Sequence, residues 1–324
     1  MRIFIILSFG ILISCTPKIN YSLISVAEES SLKLTQYSKE TDRLSYPFIG
    51  KDKSSGQLIW YAPPILAVSP DDKKIAYTAS SNGFGNIYLK DISGGLSIIQ
   101  RTFNKEIMDM AYSPDGKYIA FTERKLKNDN IYMINATEGG AIQQLVSSSA
   151  AELSPAFSPD GKNLFFTKSE GDRYFIWSLN LESSLLTQYT EGFTPCLTPN
   201  GTELVVTRNS RDGSRGEIWM INLQKSTETL ILSDNNRGFS SPQISPDGKK
   251  ILCVGTTERN KTKNQNLDLY TINIDGTKLT QLTFHQGHDV SPIWTHDGKS
   301  IFFLSQRGNK SGRYNLWKMD YNNL

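Results

Sequence analysis

The three histidines of this 324-residue chain stand near its C-terminal end, two in the run His285-Gln286-Gly287-His288-Asp289 and the third at His296. Imidazoles and a carboxylate on one loop are donors that zinc or manganese accepts. Nucleophilic catalysis would need a base beside a serine or cysteine. No histidine precedes His285 and no Gly-x-Ser-x-Gly run occurs, so the sequence does not read as a serine peptidase. Glycine loops that cradle phosphate and Cys-x-x-Cys pairs are also missing from the sequence, and no cofactor is expected. With 35 basic and 32 acidic residues, the chain lacks the cationic excess that drives nucleic-acid binding.

The elements that must position these groups are visible as repeats. A tetrapeptide of the Ser-Pro-Asp-Gly kind begins at Ser69, Ser113, Ser158, Thr198, Ser245 and Thr295, at spacings of 44, 45, 40, 47 and 50 residues. That period suits propeller blades of four strands better than helical repeats near 34. Proline presets the first turn position, Asp or Asn accepts from local amides, and glycine takes the positive φ that reverses the chain. Apolar strands flank each turn, and a third strand carries one aromatic in register: Tyr88, Tyr132, Trp177, Trp219, Tyr270 and Trp317. Six rings at one structural position read as packing between blades. The expected fold is all-β, a six-bladed β-propeller of four-stranded antiparallel blades.

After the third strand of the sixth repeat, at Asp320, the sequence has no fourth strand left, so an N-terminal strand must close the ring. Residues 31–36 resemble residues 277–282 and are the expected closing strand, with residues 42–46 as the alternative. Turn, strand and aromatic together resemble the repeats of TolB-type propellers, over roughly residues 32–320. The resemblance implies a docking ring, without the separate amino-terminal domain that TolB carries. Pectin-degrading lyases with a related propeller hold a metal through histidines, so an oligogalacturonate-type polysaccharide lyase is the enzymatic alternative. His296, in its turn, is expected on the opposite rim from His285 and His288, which leaves two candidate ligands, and no metal site is assigned.

At the other end, Met1-Arg2 and an apolar run over residues 3–13 are too short to span a bilayer and read as a signal segment. The run ends in Leu12-Ile13-Ser14-Cys15, which resembles a bacterial lipobox and implies lipidation of Cys15. Residues 1–14 are then a lipoprotein signal peptide, 15–31 the lipidated cysteine and tether, and 32–324 the propeller. The expected molecule is an exported monomer held to a membrane by its lipid anchor alone, at the outer membrane, facing periplasm or cell surface. Cys196 and Cys253 lie in apolar strands of different repeats and read as free thiols.

Links between second and third strands share one rim with the links between blades. Over residues 123–130, 168–174, 208–216, 255–266 and 305–314 they carry 14 basic and 6 acidic residues, an excess of eight against three for the whole chain. The links between blades are acidic, with Glu106, Asp109, Glu152, Glu191, Asp234 and Asp289. A basic ring around an acidic mouth is expected, with Arg211, Arg215, Arg259, Lys261, Lys263, Arg307 and Arg313, beside His285 and His288, facing an envelope protein or a peptidoglycan-type glycan.

Overall fold

A computed structural model describes residues 25–26, 33–38, 44, 50–51, 58–59, 65–81, 84–94, 98–125, 128–213, 215–256, 266–308 and 313–321. Cys15, its signal segment and the tether's first residues lie outside these, as do Arg259, Lys261 and Lys263. All regular structure among the described residues is strand.

Each of the six repeats forms one four-stranded antiparallel blade. Blade 1 is Leu66–Val68, Lys74–Ser81, Phe84–Asp91 and Ile98–Gln100; blade 2 is Ile107–Tyr112, Tyr118–Arg124, Asp129–Asn135 and Gly139–Val146. Blade 3 is Glu152–Phe157, Asn163–Glu170, Arg173–Asn180 and Leu186–Glu191, and blade 4 is Phe193–Leu197, Glu203–Asn209, Gly216–Asn222 and Glu228–Leu232. Blade 5 comprises Phe239–Ile244, Lys250–Thr256, Leu267–Asn273 and Thr280–Gln281. Blade 6 has Asp289–Trp294, Ser300–Ser305 and Asn315–Asp320 from the C-terminal end, and its outer strand is Leu34–Gln36. The closing pairs are Leu34↔Met319, Thr35↔Lys318 and Gln36↔Trp317, within the segment expected from the recurring Leu-Thr-Gln. Leu44, in the alternative segment, instead bridges Ala79 of blade 1. Three strands were not foreseen: Ser25–Val26 pairs in parallel with Thr280–Gln281 and adds a fifth strand to blade 5, and Gly50–Lys51 pairs with Leu58–Ile59 in a separate two-stranded sheet.

The turns hold because each satisfies its own polar groups. The Ser69 hydroxyl donates to Asp71 Oδ1 at 2.7 Å and accepts from the Lys74 amide at 2.9 Å. The same pair of bonds recurs from Ser113, Ser158, Thr198, Ser245 and Thr295. These hydroxyl donors hold the carboxyls of Asp71, Asp115, Asp160, Asp247 and Asp297 below their usual range. Each turn glycine also faces the proline of the preceding blade's turn: a Cβ on Gly116 would meet Pro70 at 3.4 Å, and Gly161, Gly201, Gly248 and Gly298 face Pro114, Pro159, Pro199 and Pro246 in the same way. The turns therefore form a continuous ring on one rim.

The core lies between blades. The largest cluster joins blades 5, 6 and 1 through Leu252, Leu269, Phe302, Phe303, Ile75 and Tyr77, so the seam where the ring closes is itself a packed core. At this seam Tyr37 meets the Phe302 ring edge-on at 5.1 Å.

Candidate functional site

Strand register puts each repeat aromatic opposite one second-strand position: Tyr77↔Tyr88, Phe121↔Tyr132, Phe166↔Trp177, Val206↔Trp219, Cys253↔Tyr270 and Phe303↔Trp317. Tyr77 stacks on Tyr88 and Phe121 on Tyr132 within their own blades. The packing between blades expected of the rings is seen where Tyr132 joins Ala67 and Ile87 of blade 1 and Tyr270 joins Val205 and Ile218 of blade 4. The rings also do something composition did not reveal. In four blades a cation lies against this aromatic, arriving from the end of the second strand or the link after it, over the ring in three and at the Tyr132 hydroxyl in the case of Lys125. Lys125 sits 4.7 Å from the centre of Tyr132, Lys168 4.9 Å from Trp177, Arg208 4.9 Å from Trp219 and Arg307 5.7 Å from Trp317. The signal that could have found them was positional, since these cations stand ten or twelve residues after their turn's first residue.

The basic residues expected on this rim divide into two kinds. Arg211 and Arg313 are exposed. Arg215 is half-buried, donating to the Asn235 carbonyl at 2.6 Å and reaching Asp212 at 3.3 Å. Arg307 corrects the expectation of an outward-facing cation: it is 6% exposed, pairs with buried Asp289 at 2.6 Å, donates from Nε to the Ser305 hydroxyl, and lies against the neighbouring rings of Phe303 and Trp317. Stripping both charges of water demands such an intimate pair. Arg208, inside one of the basic links, makes a two-pronged contact with Glu228 at 2.7 and 2.8 Å.

The acidic residues divide likewise. Glu106 and Glu191 are exposed, Asp234 pairs with Arg237 at 3.3 Å, and Asp109, Glu152 and Asp289 are fully buried on inner strands. Burial pushes the Asp109 carboxyl up to about 6, against hydrogen bonds from Thr122 and the Ser154 amide. It raises Glu152 and Asp289 as well, the latter despite Arg307. Three of the six acids are thus withdrawn from the surface of the mouth.

The histidines do not converge. His285 Nδ1 accepts from the Gly287 amide at 3.0 Å, and His288 Nδ1 accepts from the Leu267 amide at 3.1 Å. His296 is in the turn ring on the other rim, beside Asp72. Among the described residues no group of three or more His, Cys, Asp or Glu is placed to hold a metal ion. Cys253 is a buried free thiol and Cys196 a half-buried one.

The TolB beta propeller domain family matches residues 56–262. Among solved structures, a putative TolB from Agrobacterium tumefaciens superposes with a TM-score of 0.63 at 21% identity, covering 80% of this chain and 93% of that one. TolB from Acinetobacter baumannii gives 0.56 at 22%, covering 72% of this chain and 59% of that one. An oligogalacturonate lyase from Vibrio parahaemolyticus gives 0.56 at 14%, covering 91% and 95%. At such identities the likeness is one of fold. Among curated proteins, dipeptidyl-peptidase 5 of Porphyromonas gingivalis is 35% identical over 69 residues, 21% of this chain and 10% of that protein. An uncharacterised protein of Agrobacterium fabrum is 32% identical over 75 residues, 23% of this chain and 22% of that one. The matches thus span about a tenth and about a fifth of these relatives' own length.

Proposed function

Since the chain belongs to the TolB beta propeller domain family, we propose that it is a binding protein of the cell envelope, held to a membrane through Cys15, that docks an anionic partner on the rim carrying the stacked cations. The observation that carries this reading is the set of rim cations that still reach solvent, Lys125 at Tyr132 and Lys168 over Trp177 together with exposed Arg211 and Arg313, since Arg208 and Arg307 are already paired with Glu228 and Asp289. An ammonium or guanidinium already ordered on a ring loses less side-chain freedom when it meets an anion. Arg211 and Arg313, exposed beyond these stacks, supply attraction over about 8 Å at physiological salt. Envelope proteins with acidic surfaces and peptidoglycan-type glycans bearing peptide carboxylates both present the charge this rim fits.

The oligogalacturonate-type lyase remains the alternative by fold alone. Two histidines whose Nδ1 atoms already accept backbone amides are a poor nucleus for a catalytic metal. The test is capture from intact cells by cross-linking, at low and high salt, with Arg211→Glu and Arg313→Glu combined. The variant should lose both the captured partner and the salt dependence. Reversing Lys117, Lys162, Lys249 and Lys299 on the turn rim should change neither; equal losses from both sets would refute the assignment.

A further inference from the structure

A second surface lies on the outer edge of blade 3 and meets the cationic rim only at its far end, where Arg208 holds Thr190 and Glu191. Outer strands are the hazard of any open sheet, because alternate N–H and C=O groups face outward and can pair with another chain. Most edges here are blunted. Those of blades 1 and 6 are three residues long, and that of blade 5 has two residues and is covered by Ser25–Val26. Blade 2 has a long edge, but it opens on Gly139-Gly140, its pairing is interrupted twice, and its exposed side chains are small or amide. Blade 4's edge begins at Glu228, which is tied to Arg208 and Thr190, and is mostly covered beyond it.

Blade 3 differs. Leu186–Glu191 contains neither lysine nor proline, and five of its six residues are exposed. Its pairing shifts once, at Tyr189, and Arg208 holds Thr190 and Glu191, so the open stretch is residues 186–189. Four of the seven exposed large hydrophobics among the described residues belong to this blade: Tyr174 at 41%, Leu185 at 65%, Leu186 at 44% and Tyr189 at 40%. The charges around them leave a negative excess, with Glu170, Asp172, Glu182, Glu191 and Glu228 against Lys168, Arg173 and Arg208, in a chain whose net charge is +3.

We propose that Leu186–Glu191 is a docking edge for a partner protein, which adds an extended segment of alternating apolar and basic residues as a fifth strand of blade 3. Two observations select this occupant. Blade 5 already accepts an extended segment on its outer edge, in parallel at Ser25↔Thr280 and Val26↔Gln281, so the blade geometry admits a fifth strand. The acidic surround suits lysine or arginine, while the leucines and tyrosines take the alternate side chains.

The probes are a synthetic peptide alternating lysine with valine and its glutamate–valine counterpart, read by fluorescence anisotropy and by hydrogen exchange of the full chain. The lysine peptide should bind and protect amides within Leu186–Glu191. Combining Leu185→Lys with Leu186→Lys should weaken it about tenfold, with the melting temperature unchanged because both side chains are exposed. Equal binding of the glutamate peptide, protection at Gly139–Val146 instead, or unaltered binding by the double variant would overturn the proposal. Protection that rises with protein concentration without peptide would assign the edge to a second copy and overturn it too. Arg211→Glu with Arg313→Glu should leave this binding intact, which separates its failure from that of the cationic rim.

Discussion

Asp72 accepts hydrogen bonds from the backbone amides of His296 at 2.7 Å and Asp297 at 2.8 Å, joining the first turn of the ring to the last. The other five junctions in the turn ring are glycine against proline. At this one both partners have changed together: Asp72 holds the glycine's place, at φ 54°, and His296 holds the proline's. Proline has no N–H, so the bond to Asp72 exists only because His296 replaced it. His296→Pro should therefore cost about 1–3 kcal/mol by removing a donor to a carboxylate. Adding Asp72→Gly should recover most of that loss by restoring the contact used elsewhere. Thermal melts of the two singles and the double form the cycle, and additive losses would contradict the coupling.

The buried Asp109 carboxyl makes stability pH-dependent. Its folded value, about 6, lies above the ordinary 3.8 because burial disfavours the charged form. The folded state then holds the proton more tightly than the unfolded state, so this contribution is complete below about pH 4 and is lost as pH rises through about 6. Asp109→Asn can still accept from the Ser154 amide. It should gain roughly 2–3 kcal/mol over the parent at pH 7.5 and little at pH 3.5. Denaturant unfolding at the two pH values measures the difference, with Asp129, the nearby acid, left unchanged.

Gly216 opens the third strand of blade 4 where that strand passes the backbone of blade 5. A Cβ there would lie 2.2 Å from the Phe239 carbonyl oxygen, a main-chain atom that cannot swing aside. Gly216→Ala should destabilise by about 1–3 kcal/mol through overpacking. Gly213→Ala in the adjacent link meets nothing within 4 Å and pays only for its φ of +68°. A lower denaturation midpoint for Gly216→Ala than for Gly213→Ala is the expected order.

Lipidation is tested separately from folding. Cys15→Ala should move the protein from the membrane to the soluble fraction of a bacterial host while leaving its melting temperature unchanged. Persistent partition into detergent would reject the anchor.

The blade count and closing strand were legible because local mechanics dictate their residues. Ser-Pro-Asp-Gly is demanded by one turn geometry, and Leu34-Thr35-Gln36 repeats Leu279-Thr280-Gln281 because both form outer strands. The fate of Arg307 was not legible. An arginine between two strands reads as solvent-facing, and what draws it inward is Asp289, 18 residues earlier and itself buried, with the Ser305 hydroxyl and the rings of Phe303 and Trp317. Nor did hydropathy reveal the left-handed Ser154, Thr194, Ser241 and Ser291, each just before a proline, whose positive φ bends four inner strands. The amides of Ser154, Thr194 and Ser241 bond to Asp109, Thr167 and Thr207 of the preceding blade, a relation between repeats rather than within one.

The route of the N-terminal segment has a mechanical consequence. It crosses the outer edge of blade 5 at Ser25–Val26 before it becomes the outer strand of blade 6 at Leu34–Gln36. Among the described residues, tension applied upstream of Ser25 meets the ring first at blade 5 and next at the closing strand of blade 6. The two-residue pairing with Thr280–Gln281 takes the load first and acts as a sacrificial link. Only after it parts does strain fall on Leu34–Gln36, whose release would leave Asn315–Asp320 with an open edge.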